Sequence, residues 1–289
     1  MSYPSFLKRI ALRAPVLGSV VLERDRLRGD VSAFTGKCEV LEGKLRSLEA
    51  LEKKLESLES ENLGYCHCCR QNTNFKITGD WLRDQYLCVI CGSIPRQRHI
   101  QHILDRCFSG WEGTAVHESS PSNTLISRYC DDYSSSQYFS GIKSGDFFDG
   151  VRCENLEALT FEDGTFDLFI TQDVFEHIFN PDRAAKEIMR VLKPGGAHVF
   201  TAPKHKGISK SYQRAKLVGA EVEHIHEPSY HGNPIGDGRA LVTWDYGDDF
   251  EFLVNEWSGS FTVTYITRDR ALGLDGEYLE VFVTYKGLK

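Results

Sequence analysis

Cys66-x-x-Cys69 and Cys88-x-x-Cys91 are separated by 18 residues. Each pair can hold two thiolates on one tight turn, and two such turns facing each other complete a tetrahedral metal site. Soft thiolate donors select zinc over hard cations. Gly92 follows the second pair, where a knuckle needs an unhindered backbone. The spacing therefore predicts a zinc ribbon over residues 64–94, with Cys66, Cys69, Cys88 and Cys91 as ligands and Asn74–Asp84 as connecting strands. Four thiolates close the site, which makes it structural and not catalytic. His67 and Cys68 are spare donors beside the first knuckle. A redox dithiol is the competing reading, and the sequence lacks the βαβ pattern that would accompany it. The total of nine cysteines is odd, which fits reduced thiols and a metal better than a disulfide framework.

The elements around these cysteines differ sharply in character. Residues 20–62 are rich in Leu, Glu, Lys and Arg. Leu27, Val31, Phe34, Cys38, Leu41, Leu45 and Leu48 follow alternating steps of four and three, a heptad seam. Leu51, Leu55 and Leu58 continue it after a one-residue slip, which overwinds a coiled coil locally without ending it. A coiled coil between copies of the chain is expected over residues 1–63, with Gly64 ending the helix. The alternative is one amphipathic helix packed on its own chain. Pro95 opens a further helix, where Arg96 and Arg98 either bind an anion or are solvated. From about residue 112, apolar runs alternate with helical stretches: Thr114–His117, Tyr133–Phe139, Val151–Glu154, Phe166–Thr171 and His198–Ala202. Phe261–Thr267 and Tyr278–Tyr285 read as a closing antiparallel pair. The fold class expected is α/β, an open and mostly parallel sheet with an antiparallel hairpin at its edge.

Composition narrows the partners. The net charge of -7 disfavours nucleic acid. No run of 18 apolar residues is present, so no transmembrane segment is expected. Pro15 interrupts the N-terminal apolar stretch and no cleavage site stands out, so no signal peptide is read and a cytoplasmic location is expected. Residues 5–21 read as a lead-in to the long helix, with a weak membrane-surface role as the alternative.

Leu159-Thr-Phe-Glu-Asp-Gly-Thr-Phe-Asp-Leu-Phe-Ile-Thr-Gln-Asp-Val-Phe-Glu-His-Ile178 continues into Arg190-Val-Leu-Lys-Pro-Gly-Gly196 and Val199-Phe-Thr-Ala-Pro203. This run of about 45 residues resembles class I S-adenosylmethionine-dependent methyltransferases of the ubiquinone/sugar type. The chain as a whole looks like a bacterial subfamily with an N-terminal zinc ribbon. The resemblance implies a Rossmann-like sheet over residues 95–289, with 204–244 as a substrate-covering insertion, and S-adenosylmethionine as cofactor. The family's V-L-E-x-G-x-G loop falls on Val116-His-Glu-Ser-Ser-Pro-Ser122, so Ser120 and Ser122 stand where glycines are usual. Carried over position by position, Glu118 meets the amino group of the cofactor's methionine part and Ser120 and Ser122 line the turn. A helix at Asn123–Tyr129 offers its N-terminus to the carboxylate. Gln137 takes the ribose, Asn155 and Leu156 the adenine, and Gln172 and Asp173 the methionine side. Lys193 is read as architectural.

Methyl transfer needs donor and acceptor held in line, and a hydroxyl acceptor gains from a base. His177, just after the fourth parallel strand, is one candidate; packing at a helix start is the bland alternative. The insertion holds His205, His224, His226, Tyr230, His231 and Asn233. His231 is the second candidate base, and the set also offers ligands for an adventitious metal. The resemblance implies a hydroxyl on a sugar or glycan-related small molecule as acceptor. The rival reading is a noncatalytic assembly protein, in which the methyltransferase-like domain is a scaffold.

Overall fold

Phe166, Leu168, Phe169, Ile170 and Thr171 are all buried, as expected of a strand covered on both faces. A computed structural model describes residues 15–121, 125–232 and 238–288. The chain divides into two units, Met1–Ser60 and Glu61–Lys289. In the first, helix α1 (Pro15–Glu59) has 45 residues. The heptad residues Leu27, Val31, Phe34, Leu41, Leu45, Leu48 and Leu51 are exposed along it. No helix among the described residues is long and apolar enough to cross a membrane.

The second unit begins with an antiparallel three-stranded sheet: β1 (Glu61–Cys66), β2 (Gln71–Ile77) and β3 (Tyr86–Cys88), with a short helix α2 (Leu82–Gln85) before β3. Here the structure corrects the expectation for Gly64. The long helix ends at Glu59, and Gly64 sits inside β1. A Cβ at that position would lie 2.1 Å from the Ala271 carbonyl oxygen, so the glycine serves a close backbone approach.

Helix α3 (Pro95–Cys107) leads to β4 (Ala115–Ser119), β5 (Asp132–Gln137), β6 (Phe147–Phe148), β7 (Val151–Cys153), β8 (Phe166–Gln172), helix α4 (Pro181–Val191) and β9 (Leu192–Thr201). The insertion contributes β10 (Tyr212–Gln213), β11 (Ala215–Val218), β12 (Glu221–His224), β13 (Tyr230–Gly232), β14 (Arg239–Leu241) and β15 (Trp244–Asp245). Helix α5 (Phe250–Ser258), β16 (Phe261–Tyr265) and β17 (Val281–Tyr285) close the chain. The large sheet has the order β16-β17-β9-β8-β4-β5-β7-β6. Its centre, β9-β8-β4-β5-β7, is parallel. The terminal hairpin is antiparallel, as expected. The β6–β7 edge pair is a feature that the sequence pattern did not indicate.

Strand alternation distributes the core. Phe169, Phe200 and Phe282 point to one face and pack with Ile188 of α4 and Phe250 of α5. Leu168, Ile170, Val199 and Val283 point to the other and pack with Ile100, Ile103 and Leu104 of α3. Helices therefore cover both faces of a mixed α/β sheet, the fold class expected from the sequence. The Lys193-Pro-Gly-Gly segment lies within β9, and the Lys193 ammonium pairs with Asp167 at 2.7 Å. Strand order reverses between β4 and β8, and it is at the carboxyl ends of strands at such a reversal that open α/β sheets bind ligands.

Candidate metal centre and strand-end site

The β1–β2 turn and the turn after β3 bring Cys66, Cys69, Cys88 and Cys91 together, with all four sulfurs within 4.8 Å of one another. Cys66 Sγ lies 3.8 Å from Cys91 Sγ, and Cys69 Sγ lies 3.9 Å from Cys88 Sγ. Four thiolates about 2.3 Å from a tetrahedral ion stand ~3.8 Å apart, so the donor set fits such an ion. Cys68 is buried beside them but is not one of the four converging donors. Without a cation three of the four thiols resist ionisation, whereas hydrogen bonding to the Cys66 thiol pulls Cys88 down. Burial pushes Cys69 up to about 11. Hydrogen bonding to the Cys68 thiol and to the Cys66 thiol raises Cys66 and Cys91 respectively.

At the reversal point, Glu118 near the end of β4 is fully buried. Its carboxylate accepts hydrogen bonds from the Tyr133 hydroxyl at 2.9 Å and the Gln172 amide at 3.0 Å. Burial, and then the Glu118 carboxylate, push the Tyr133 phenol up, so it remains a donor. The other amide atom, Gln172 Oε1, is buried with no hydrogen-bond partner among the described residues. Ser120 holds φ +54°, a left-handed conformation that glycine adopts freely. The helix expected over Asn123–Tyr129 is only a single 3₁₀ turn, Ile126–Arg128, among the described residues. Asn123 and Thr124, where that helix would begin, lie outside the described residues. Ser122 lies outside the described residues.

Asp173, immediately after β8, also has a positive φ, +50°. Arg83 of α2 and Arg96 of α3 both pair with its carboxylate. The Thr201 hydroxyl donates to it at 2.8 Å. Burial pushes this carboxyl up, but the two guanidiniums and the Thr201 hydroxyl outweigh burial and hold it below its ordinary value. Asp173 thus links the small cysteine sheet to the large sheet through Arg83 and Arg96. The structure corrects the reading of Arg96 and Arg98. Arg96 is paired with Asp84 and Asp173. Arg98 is buried and donates to the backbone carbonyls of Tyr86, Ser93 and Gly273. Gln137 ends β5 half-buried. Asn155 Oδ1 accepts the Glu157 N–H at 2.9 Å, which leaves its amide donors, and Leu156 is buried in the aromatic core.

Comparison with known proteins adds to this geometry. Residues 131–200 match the family described as a methyltransferase domain. The match runs from β5 into β9 and includes Gln137, Asn155, Gln172 and Asp173, while Glu118 and Ser120 at the end of β4 precede it. An uncharacterised 37.1 kDa protein in transposon TN4556 of Streptomyces fradiae is 29% identical over 97 residues, 34% of this chain and 28% of that protein. The ubiquinone/menaquinone biosynthesis C-methyltransferase UbiE of Pseudoalteromonas translucida is 38% identical over 61 residues, 20% of this chain and 24% of that protein. The chain thus spans about a quarter of the length of these relatives. Among solved structures, an S-adenosylmethionine-dependent methyltransferase from Mesorhizobium loti superposes with a TM-score of 0.42 at 11% identity, over 65% of this chain and 98% of that one.

His177 and His231, the two candidate bases, lie close together in the structure. His177 closes the 3₁₀ turn Phe175–His177 and His231 lies on β13, with ring centroids 5.2 Å apart. His177 Nδ1 lies 2.8 Å from the Leu241 carbonyl oxygen, which can only accept. Nδ1 therefore carries the proton and Nε2 has the free lone pair. Between them lies Glu176, which the sequence reading passed over although it stands in the Glu-His pair of the motif. His205 contacts Tyr278 and Asp245, away from this group.

Proposed function

We propose that this chain transfers a methyl group from S-adenosylmethionine to an acceptor, a hydroxyl of a sugar or glycan-related small molecule. The observation that carries the reading is the methyltransferase-domain match over residues 131–200, laid on a sheet whose strand order reverses at Glu118 and Gln172. The cofactor would supply an electrophilic methyl on a sulfonium. Gln172 Oε1, a buried acceptor without a partner among the described residues, suits the cofactor's ammonium, and Glu118 fixes that amide and adds negative charge nearby. Gln137 would meet the ribose, and the Asn155 amide with Leu156 the adenine. Ser120 shapes the turn, with Ser122 beside it. Asp173 holds the floor of the site through Arg83 and Arg96. His177 and His231 stand where the acceptor would enter, and an imidazole there can take the hydroxyl proton.

The four cysteines would hold a structural zinc, a reading supported by their sulfur spacing. The exposed heptad face of α1 supports self-association of the chain, and a reducing, cytoplasmic location suits its unpaired cysteines. A scaffold without catalysis has one observation in its favour: the Glu118 and Asp173 carboxylates already have protein partners. The experiment is a transfer assay with methyl-labelled S-adenosylmethionine and a panel of glycan and sugar acceptors. Label should appear in an acceptor together with demethylated cofactor. Absence of turnover with every acceptor, joined to absence of cofactor binding, would favour the scaffold.

A further inference from the structure

Glu176 is the least compensated charge near the candidate acceptor site. Its side chain is 1% exposed, and neither carboxylate oxygen has a hydrogen-bond partner among the described residues. A buried carboxylate in that state is costly unless a cation meets it. Two imidazole nitrogens face it. His177 Nε2 lies 3.8 Å and His231 Nδ1 lies 3.7 Å from Oε1. Each of the three residues offers one donor atom, all within 4.8 Å of one another.

We infer that Glu176, His177 and His231 form a second metal site, for a borderline divalent first-row ion such as zinc, cobalt or iron. One carboxylate and two imidazoles are donors that such ions accept, and three protein ligands leave coordination positions open. The surroundings are those of a built ligand set. His177 donates its other ring N–H to the Leu241 carbonyl, the arrangement that orients a ligating imidazole and frees the opposite nitrogen. The turn carrying Glu176 and His177 is pinned from outside. The Thr243 N–H and hydroxyl both donate to the Glu176 carbonyl, and the Tyr246 hydroxyl donates to the Phe175 carbonyl. His231 arrives on the β13–β14 pair, so an ion here would tie the insertion to the end of β8. The site is chemically distinct from the cysteine cluster, having no sulfur. With His177 Nε2 and His231 Nδ1 held as ligands, the ion, in place of a free imidazole, would lower the pKa of a bound hydroxyl. Its ion binding does not depend on the methyl-transfer reading and is tested without cofactor.

The test uses the full chain loaded with a single equivalent of zinc, which the four-thiolate cluster takes first, and then titrated calorimetrically and spectroscopically with Co²⁺. One further equivalent should bind, with ligand-field absorption and no thiolate-to-cobalt charge transfer. His231→Ala, a change on a half-exposed strand, should weaken that equivalent at least tenfold. Glu176→Gln should abolish it while leaving the zinc content of the cysteine cluster unchanged. Circular dichroism of both variants checks the fold, and His231→Ala decides the matter should Glu176→Gln not fold. No second equivalent in the wild type, a thiolate charge-transfer band, or wild-type affinity in His231→Ala would each overturn the inference.

Discussion

The cysteine cluster and the strand-end site are both built where two elements meet, yet they treat their polar groups in opposite ways. In the cluster, four thiols converge and have no better partner than an ion between them. At the strand ends, each acidic group already has a protein partner: Glu118 holds Tyr133 and Gln172, while Asp173 holds Arg83, Arg96 and Thr201. The ligand set of the first is local, two pairs each closed by one turn. The second draws on residues as distant as Arg83 and Asp173, and only the folded chain decides which carboxylate faces a ligand. Residue type at a family position therefore identifies a place in the sheet more securely than a contact.

That contrast can be broken or sharpened by experiment, and the largest effect belongs to the cysteines. Cys88→Ser should release the metal and unfold the small sheet, since structural zinc binding is worth roughly 10 kcal/mol and is coupled to folding. Metal analysis together with hydrogen exchange over residues 61–91 reads both consequences. Retained metal with unchanged protection would break the comparison.

The large sheet and helix α3 packed on it should respond to acid through their buried imidazoles. Burial pushes His99 down to about 4, and His117 and His198 down to about 3. The folded chain thus binds fewer protons than the unfolded chain below pH 6.5. The stability that these three neutral rings confer is present above that pH and is lost as pH falls toward 4. With three protons in play, the slope approaches about 4 kcal/mol per pH unit. Denaturant titrations at pH 7, 6, 5 and 4 measure it, and a flat profile contradicts it.

Asp173→Ala should cost about 2 kcal/mol, less than a fully buried pair because the carboxylate is 16% exposed. Two guanidiniums are then left facing each other. Because the Asp173 pKa is depressed in the folded state, its contribution is present above the ordinary carboxylate range and lost as pH falls through the lowered value. The difference between wild type and variant should therefore shrink in strong acid. Ser120→Gly is the smallest change, stabilising by about 1 kcal/mol through relief of a left-handed serine. A destabilised Ser120→Gly would show that the hydroxyl matters more than the backbone.

Much of this was readable in the sequence, for local reasons. Cysteine spacing determines a turn, and the apolar run Phe166–Thr171 can only be a covered strand. The terminal hairpin follows from alternating residues. What was not readable depends on contacts across long separations. Gly64 looks like a helix stop until Ala271 is placed against it. Arg98 looks like a surface cation until three backbone carbonyls from separate loops converge on it. Glu176 looks like part of a motif until His231, more than fifty residues later, folds back beside it.

The central claim is that the strand-end site at Glu118 and Gln172 binds S-adenosylmethionine. Calorimetry of the full chain with the demethylated product, S-adenosylhomocysteine, tests it without an acceptor. The account predicts one equivalent bound per chain. It also predicts a loss of tenfold to a hundredfold in Glu118→Ala, because the charge-assisted hydrogen bond that fixes Gln172, worth about 1.5–3 kcal/mol, is gone. No heat and no thermal shift at millimolar ligand, or wild-type affinity in a folded Glu118→Ala, would contradict it.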